Sequence, residues 1–194
     1  MNPSSTPALT KTDALQLSVF GAPPAFGAPL YVGTPNIGNK ASILARIESS
    51  LDQRRLTNFG PLTREFEARI AEYCGTKHCI TVCNATIGLE LMIRALELKG
   101  EVIVPAMTFV ATAHALQWQE ITPVFCDIDP VTCNIDPAVV ERMITPRTTG
   151  IIGVHLWGRA CDVDALQSVA DKHKLTLGFD AAHASYRVAI GALK

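Results

Sequence analysis

Residues 101–126 read EVIVPAMTFVATAHALQWQEITPVFC, and this stretch decides the fold class. Two short apolar runs, at 101–104 and 123–126, flank a segment with helical spacing at 108–119. Continuous runs of β-branched residues joined through a helix are typical of parallel strands that are covered on both faces. The stretch therefore predicts one strand–helix–strand unit of an α/β protein.

The same alternation extends on both sides of this unit. Further strands are predicted at 78–82, 149–155 and 176–179, and further helices at 86–98, 137–144 and 162–173. Together these segments predict a mostly parallel sheet flanked by helices, in which ligands bind at the carboxyl ends of the strands.

Two more helices precede the alternating region. The first is predicted at 40–51, and the second begins at Pro61 and ends at Gly75. The first is predicted from an apolar stripe at helical spacing, formed by Ile43, Leu44, Ile47 and Leu51. Residues 1–38 are rich in proline, glycine and small residues, which predicts an extended N-terminal arm. The expected organisation is this arm followed by one α/β domain at 39–194.

The composition narrows the function classes. The chain has 194 residues, 48% of them hydrophobic, and a formal net charge of −1. It shows no basic run for nucleic acid, no apolar run long enough to cross a membrane, and no signal-peptide pattern. The cysteine spacings fit neither a metal site nor a disulfide framework, so no metal site, reduced thiols and a cytoplasmic location are predicted. The six cysteines are Cys74, Cys79, Cys83, Cys126, Cys133 and Cys161.

The turn Asn84-Ala85-Thr86 lies between the predicted strand at 78–82 and a helix. Free backbone N–H groups at a helix start bind phosphate well, and the Thr86 hydroxyl adds a donor. The alternative is that Asn84 or Thr86 only caps the helix. The chain contains neither a G-x-G-x-x-G nor a P-loop motif.

Three residues at other strand ends are candidates for holding a flat ring. Phe109 could stack on such a ring, or belong to the core. Asp180 could pair with a protonated ring nitrogen and so make the ring an electron sink, or cap a helix. His183 is either a hydrogen-bond partner in the pocket or an ordinary half-buried histidine.

Other polar residues at strand ends have weaker functional interpretations. Asp127 and Asp129 precede Pro130, a pattern typical of a loop-forming turn. His155 and Trp157 end a strand, where they could line a site or simply pack.

Taken in order, these segments resemble the nucleotide-sugar aminotransferases of the DegT/StrS type, which are pyridoxal-phosphate enzymes of fold type I. The similarity covers about residues 30 to 184. The matching segments are LTNFGPL (56–62), EVIVPAMTFVAT (101–112), PVFCDIDP (123–130), NIDP (134–137), ITPRT (144–148), VHLWG (154–158) and DAAHA (180–184).

The resemblance implies a role for each candidate. Ala85 and Thr86 occupy the family's Ser-Gly-Thr phosphate-binding turn, although Asn84-Ala85 replaces Ser-Gly here. Phe109 corresponds to the aromatic residue that stacks on the pyridine ring, and Asp180 to the carboxylate that pairs with its nitrogen. His183 corresponds to the residue that hydrogen-bonds the ring hydroxyl. No catalytic residue is assigned in this chain.

The family's Schiff-base lysine lies well downstream of the Asp180 motif. Lys194 ends this chain before that segment and is not expected to replace the lysine, since residues 185–194 depart from the family pattern. The expectation is a large domain truncated before its last strands, inactive alone. The strands at 78–82 and 176–179 are then expected to expose open edges.

Three interpretations remain open. The chain is half of a truncated or split sugar aminotransferase, or of a related sugar dehydratase; a non-catalytic remnant or binding module of the same fold; or an unrelated α/β binding domain. For the first, the resemblance implies a keto-sugar nucleotide, an amino-acid donor, and either a homodimer or a complementing C-terminal chain. Neither nucleic acid nor membrane is an expected partner.

Overall fold

The computed structural model describes residues 13–24, 26–29, 31, 33 and 35–184. The tail at 185–194, including Lys194, lies outside the described residues. The chain divides into two compact units, the first ending at Arg54 and the second beginning at Arg55. The proposed division into an arm at 1–38 and a domain at 39–194 therefore stays a prediction.

Among its described residues, the first unit contains one α-helix. Helix α1 spans Lys40–Asp52, and the side chain of Asn39 caps it by accepting a hydrogen bond from the Ser42 amide. Two short 3₁₀ turns, Ala14–Gln16 and Ser18–Phe20, precede it. The helix prediction at 40–51 is confirmed.

The second unit opens with a helix and then alternates helices with strands. Its elements are α2 (Pro61–Cys74), α3 (Ala85–Ala95), β1 (Glu101–Pro105), α4 (Ala111–Gln117), β2 (Thr122–Cys126), α5 (Pro137–Met143), β3 (Thr148–Val154), α6 (Val163–His173) and β4 (Thr176–Asp180). Helix α2 has Pro61 in its first turn and ends at Gly75, whose φ of 64° is left-handed, as the sequence predicted.

The four strands form one parallel sheet in the order β2-β1-β3-β4. Ile103 of β1 is paired with Val124 of β2 on one side and with Ile151 of β3 on the other. The chain runs from β1 to β2 on one side and then returns past β1 to β3 on the other, so the sheet has its switch point between β1 and β3. The predicted α/β class, with a parallel sheet flanked by helices, is confirmed.

Each face of the sheet carries its own core. Val102 and Val104 of β1 face a cluster that contains Ile93 of α3 and Leu116 of α4. Ile103, between them in sequence, faces the opposite cluster with residues of α5 and α6. Alternate residues of β1 therefore pack into two different cores. This explains why the strand is buried along its length and is apolar after Glu101.

The strand predicted at 78–82 is wrong, because this segment forms no ladder in the described part of the chain. Ile80 is 79% exposed, and the segment is tied instead to α2, where Glu67 accepts from the Thr81 amide and hydroxyl at 2.8 and 2.6 Å. A strand needs a neighbour to satisfy its backbone, and no strand among the described residues lies beside this one. By contrast, β4 forms a ladder with β3, and no other described strand is paired with it, as the edge position expected for 176–179 requires.

Within the described ranges, no helix is long and apolar enough to span a membrane, and no group of three or more His, Cys, Asp or Glu side chains is arranged to hold a metal ion. All six cysteines are free thiols. Burial raises the pKa of both Cys126 and Cys161 to about 11, so these two thiols stay protonated at neutral pH.

Candidate functional site

A cleft of about 180 Å³ opens at the carboxyl ends of β1, β3 and β4. All five residues predicted from the sequence line it: Ala85, Thr86, Phe109, Asp180 and His183. The remaining lining comes from Leu89, Thr108, Ala111, Val154 and Ala182. Residues almost 100 positions apart in sequence thus meet at the edge where parallel strands place their ligands.

The start of α3 forms one wall of the cleft. Asn84 has an extended backbone and caps the helix, its Oδ1 accepting from the Ile87 amide at 3.0 Å. Ala85 and Thr86 are the first two helical residues, so their N–H groups have no helical carbonyl to bond. Asn84 therefore caps the helix, and Ala85 and Thr86 line the cleft at the end of α3 where its N–H groups are free of helical bonds.

Phe109 stands at the mouth of the cleft with 66% of its surface exposed. The sequence predicted that it begins a helix, but α4 begins only at Ala111, so Phe109 belongs to the turn between β1 and α4. Its ring is not part of either core cluster. This exposure favours the stacking interpretation over the packing one.

Asp180, the last residue of β4, is the buried charge of the cleft. Only 8% of it is exposed. Its Oδ2 accepts from the Thr112 hydroxyl at 2.8 Å and its Oδ1 from the Ala182 amide at 3.1 Å. No basic side chain among the described residues pairs with it, so the carboxylate is supplied with neutral donors and left without a cation.

His155, the residue that follows β3, is fully buried and is hydrogen-bonded to the end of β4. Its amide donates to the Asp180 carbonyl at 3.0 Å, and its ring stacks on Phe179 with centroids 4.9 Å apart. Nδ1 accepts from the Cys161 amide at 3.1 Å, so the neutral ring carries its hydrogen on Nε2, which has no partner within the described residues. Burial lowers the pKa of His155, against an opposing effect of the Asp180 charge.

His183 and Trp157 are both exposed, and of the two only His183 lines the cleft. His183 contributes to the cleft lining and is exposed. Trp157 is also exposed and has a left-handed backbone, with φ of 51°, next to Gly158 with φ of 80°. A Cβ on Gly158 would lie 3.3 Å from the carbonyl oxygen of His183, so a larger residue would crowd the segment that carries His183.

The loop interpretation of Asp127 and Asp129 is confirmed. Asp129 Oδ1 accepts from the amides of Val131 and Thr132 at 3.0 and 2.7 Å, and these bonds lower the pKa of its carboxyl. Neither aspartate lines the cleft described above.

Sequence reasoning missed Thr108, Thr112 and the role of His155. Thr108 and Thr112 are four residues apart, and their hydroxyls are 2.9 Å apart. That spacing was visible in the sequence, but nothing there indicated that Asp180, 68 residues later, would complete the group.

The chain is similar to known proteins in family, in sequence and in structure. The model of the DegT/DnrJ/EryC1/StrS aminotransferase family matches residues 38–191. A dTDP-4-amino-4,6-dideoxy-D-glucose transaminase of Escherichia coli is 39% identical over 153 residues, which is 79% of this chain and 41% of the relative.

Two solved structures are similar as well. DesI, solved in the presence of its TDP-sugar product, has a TM-score of 0.82 and 54% identity over 88% of this chain and 44% of DesI. Spr1654 of Streptococcus pneumoniae, solved in a PLP form, has a TM-score of 0.64 and 35% identity over 73% of this chain and 41% of that chain. The chain spans about two fifths of the length of the proteins it matches.

Proposed function

The chain belongs to the DegT/DnrJ/EryC1/StrS aminotransferase family, and on that premise we propose that its cleft is the cofactor-facing part of an amino-transfer site for keto-sugar nucleotides. The observation that carries the proposal is Asp180, a buried carboxylate that lines an open cleft without a basic partner among the described residues. A buried charge without a cation is expensive unless a ligand supplies one.

The lining fits pyridoxal phosphate. An anionic group suits the open N–H groups at the start of α3, and a flat ring suits the exposed face of Phe109. A protonated ring nitrogen would supply the cation that Asp180 lacks. When bound, this cofactor supplies an electron sink for the bond changes at the amino acid's α-carbon.

Each of the five cleft residues then has its own role toward the cofactor. Ala85 and Thr86 bind the phosphate, Phe109 covers one ring face and excludes water from it, and Asp180 holds a proton on the ring nitrogen. His183, on the rim, donates to or accepts from the ring hydroxyl. These assignments follow the family resemblance, and the cleft that the five residues share supports them.

The size of the cleft supports a site that is completed from elsewhere. At about 180 Å³ it is smaller than the roughly 300–1,000 Å³ of typical small-molecule sites. We place the family's Schiff-base lysine in a complementing segment, on a separate chain or on further residues of the same protein. We also propose a cytoplasmic homodimer, an amino-acid donor, and no activity for residues 1–194 alone.

Borohydride reduction with pyridoxal phosphate, followed by intact mass, tests this proposal. With the chain alone we expect no stoichiometric adduct, only scattered labelling that Asp180→Ala leaves unchanged. Once a segment carrying the family lysine is added, we expect one saturable adduct that Asp180→Ala abolishes.

Asp127→Ala is the matched control, since it removes an exposed aspartate outside the cleft and should leave that adduct intact. A single saturable adduct on the unsupplemented chain, lost in Asp180→Ala, would show that a lysine of this chain reaches the cofactor. It would overturn the division of the site proposed here.

A further inference from the structure

Three side chains form a hydrogen-bonded row that begins and ends at the cleft and passes through one buried residue between. The Thr108 and Thr112 hydroxyls are 2.9 Å apart, and Thr112 Oγ1 lies 2.8 Å from Asp180 Oδ2. Thr112 is fully buried, whereas Thr108 lines the cleft. The row joins the turn after β1 to the end of β4.

The chemistry of the three groups fixes the direction of these bonds. A carboxylate has no hydrogen to give, so the Thr112 hydroxyl must donate to Asp180. That use of its only hydrogen leaves Thr112 Oγ1 as an acceptor toward Thr108, and the Thr108 hydroxyl must donate inward. The row therefore has one polarity, from Thr108 through Thr112 to Asp180.

We propose that Thr112 is a positioning residue for Asp180 and that Thr108 faces the cleft only as an acceptor. Thr112 on Oδ2 and the Ala182 amide on Oδ1 hold the carboxylate in one orientation. The remaining lone pairs of Asp180 and those of Thr108 both require a ligand group that donates, such as a protonated ring N–H. The identity of that ligand rests on the function proposed above, but the row of hydrogen bonds does not.

The side-chain carbon resonance of Asp180 tests the row without any cofactor. The apo chain is labelled with [4-¹³C]aspartate, and the Asp180 signal is assigned by its loss in Asp180→Asn. Thr112→Val keeps the shape of threonine and removes the hydroxyl, so we expect the Asp180 signal to move. Thr112→Ser restores the donor, and we expect a signal close to that of the parent chain.

Thr108→Val provides the second variant, because this residue is only half-buried and its replacement is less of a threat to folding. Loss of its donor weakens the polarisation of Thr112, so we expect a smaller shift of the Asp180 signal in the same direction as Thr112→Val. Far-UV circular dichroism of each variant establishes that the fold is retained.

The completed, cofactor-loaded protein gives an independent readout. There, Thr112→Val should move the ¹⁵N resonance of the ring nitrogen and weaken pyridoxal-phosphate binding by about tenfold, which corresponds to about 1.4 kcal/mol. Thr112→Ser should restore both.

The two proposals fail in different ways. An Asp180 signal that stays in place in folded Thr112→Val and Thr108→Val would overturn the positioning role, even if pyridoxal phosphate binds. An Asp180 signal that moves as expected in apo protein, with no cofactor bound after completion, would support the row and count against the proposed function.

Discussion

At the scale of single residues, the packing of Phe179, which precedes Asp180, depends on the absence of a side chain at Gly153. A Cβ placed on Gly153 would lie 2.8 Å from Cε1 of Phe179 and 3.3 Å from the sulfur of Cys161. The ring of Phe179 also stacks on the buried ring of His155, with centroids 4.9 Å apart. Phe179 therefore packs closely against both Gly153 of β3 and the imidazole of His155.

We expect Gly153→Ala to lower the free energy of unfolding by about 1–3 kcal/mol, as overpacking of a filled core does. Phe179 cannot move aside without losing its stacking on His155. Urea unfolding followed by circular dichroism measures the change. Gly38→Ala is the matched control, since its Cβ would meet nothing within 4 Å and should change stability by no more than about 0.5 kcal/mol. Equal effects of the two substitutions would contradict this account.

At this scale, the family resemblance selected residues that line one cleft, but it did not select the side chains that support them. Family resemblance selected Ala85, Thr86, Phe109, Asp180 and His183, and the structure brings all five into one cleft. Thr112 could not be found in the same way, because a buried threonine in a helix is indistinguishable from core until its partner is known. The partner lies on a distant strand, and sequence spacing does not report such pairs.

At the scale of helices and strands, the alternation of apolar runs and helical spacing was sufficient for four strands and six helices. The exception, 78–82, has the composition of a strand and the surroundings of a loop. Composition reports how well a segment suits a sheet, while pairing depends on a neighbour. Here the Thr81 amide, which a neighbouring strand would otherwise bond, donates to the side chain of Glu67 of α2.

The contact between Glu67 and Thr81 predicts a pH-dependent attachment of this segment. The hydroxyl and amide of Thr81 lower the pKa of Glu67, the hydroxyl most. A lowered folded pKa means that the attachment is complete above the pKa of an unfolded glutamate and is lost as pH falls through the folded value.

Glu67→Gln should therefore speed hydrogen exchange at the Thr81 amide near neutral pH, and it should remove the additional acid-induced opening that the parent chain shows. Amide exchange followed by NMR or mass spectrometry measures both. Glu72→Gln, on the same helix, is the control and should leave Thr81 protected. Unchanged exchange at Thr81 in Glu67→Gln would mean that other contacts hold the segment.

At the scale of the whole molecule, much apolar surface stays in contact with solvent. The stripe predicted on α1, formed by Ile43, Leu44, Ile47 and Leu51, is exposed along its length. An amphipathic helix is stabilised mainly by burying its apolar face, and exposed patches of this kind mark association surfaces. The sequence predicted the stripe from its spacing, although spacing alone says nothing about what covers it.

We expect the purified chain to self-associate through this stripe, so that sedimentation equilibrium gives a mass above the 20.9 kDa of one chain. Ile47→Glu should shift the distribution toward that single-chain mass, because it places a charge in the apolar surface. Ala45→Glu adds the same charge to the opposite face of α1 and should leave the distribution unchanged. A monomer at all concentrations in the parent chain would exclude this surface as a contact between copies.

The bond between Thr112 and Asp180 also says when the cleft can form during folding. It closes a loop of 68 residues, and Asp180 leaves the ribosome only after β1, β2 and β3 have been made. The entropy of closing long loops delays such contacts until nearer pairings have shortened the search. The cleft therefore assembles only after Asp180 has emerged, and a nascent chain can pair β1, β2 and β3 before it acquires any affinity for a ligand.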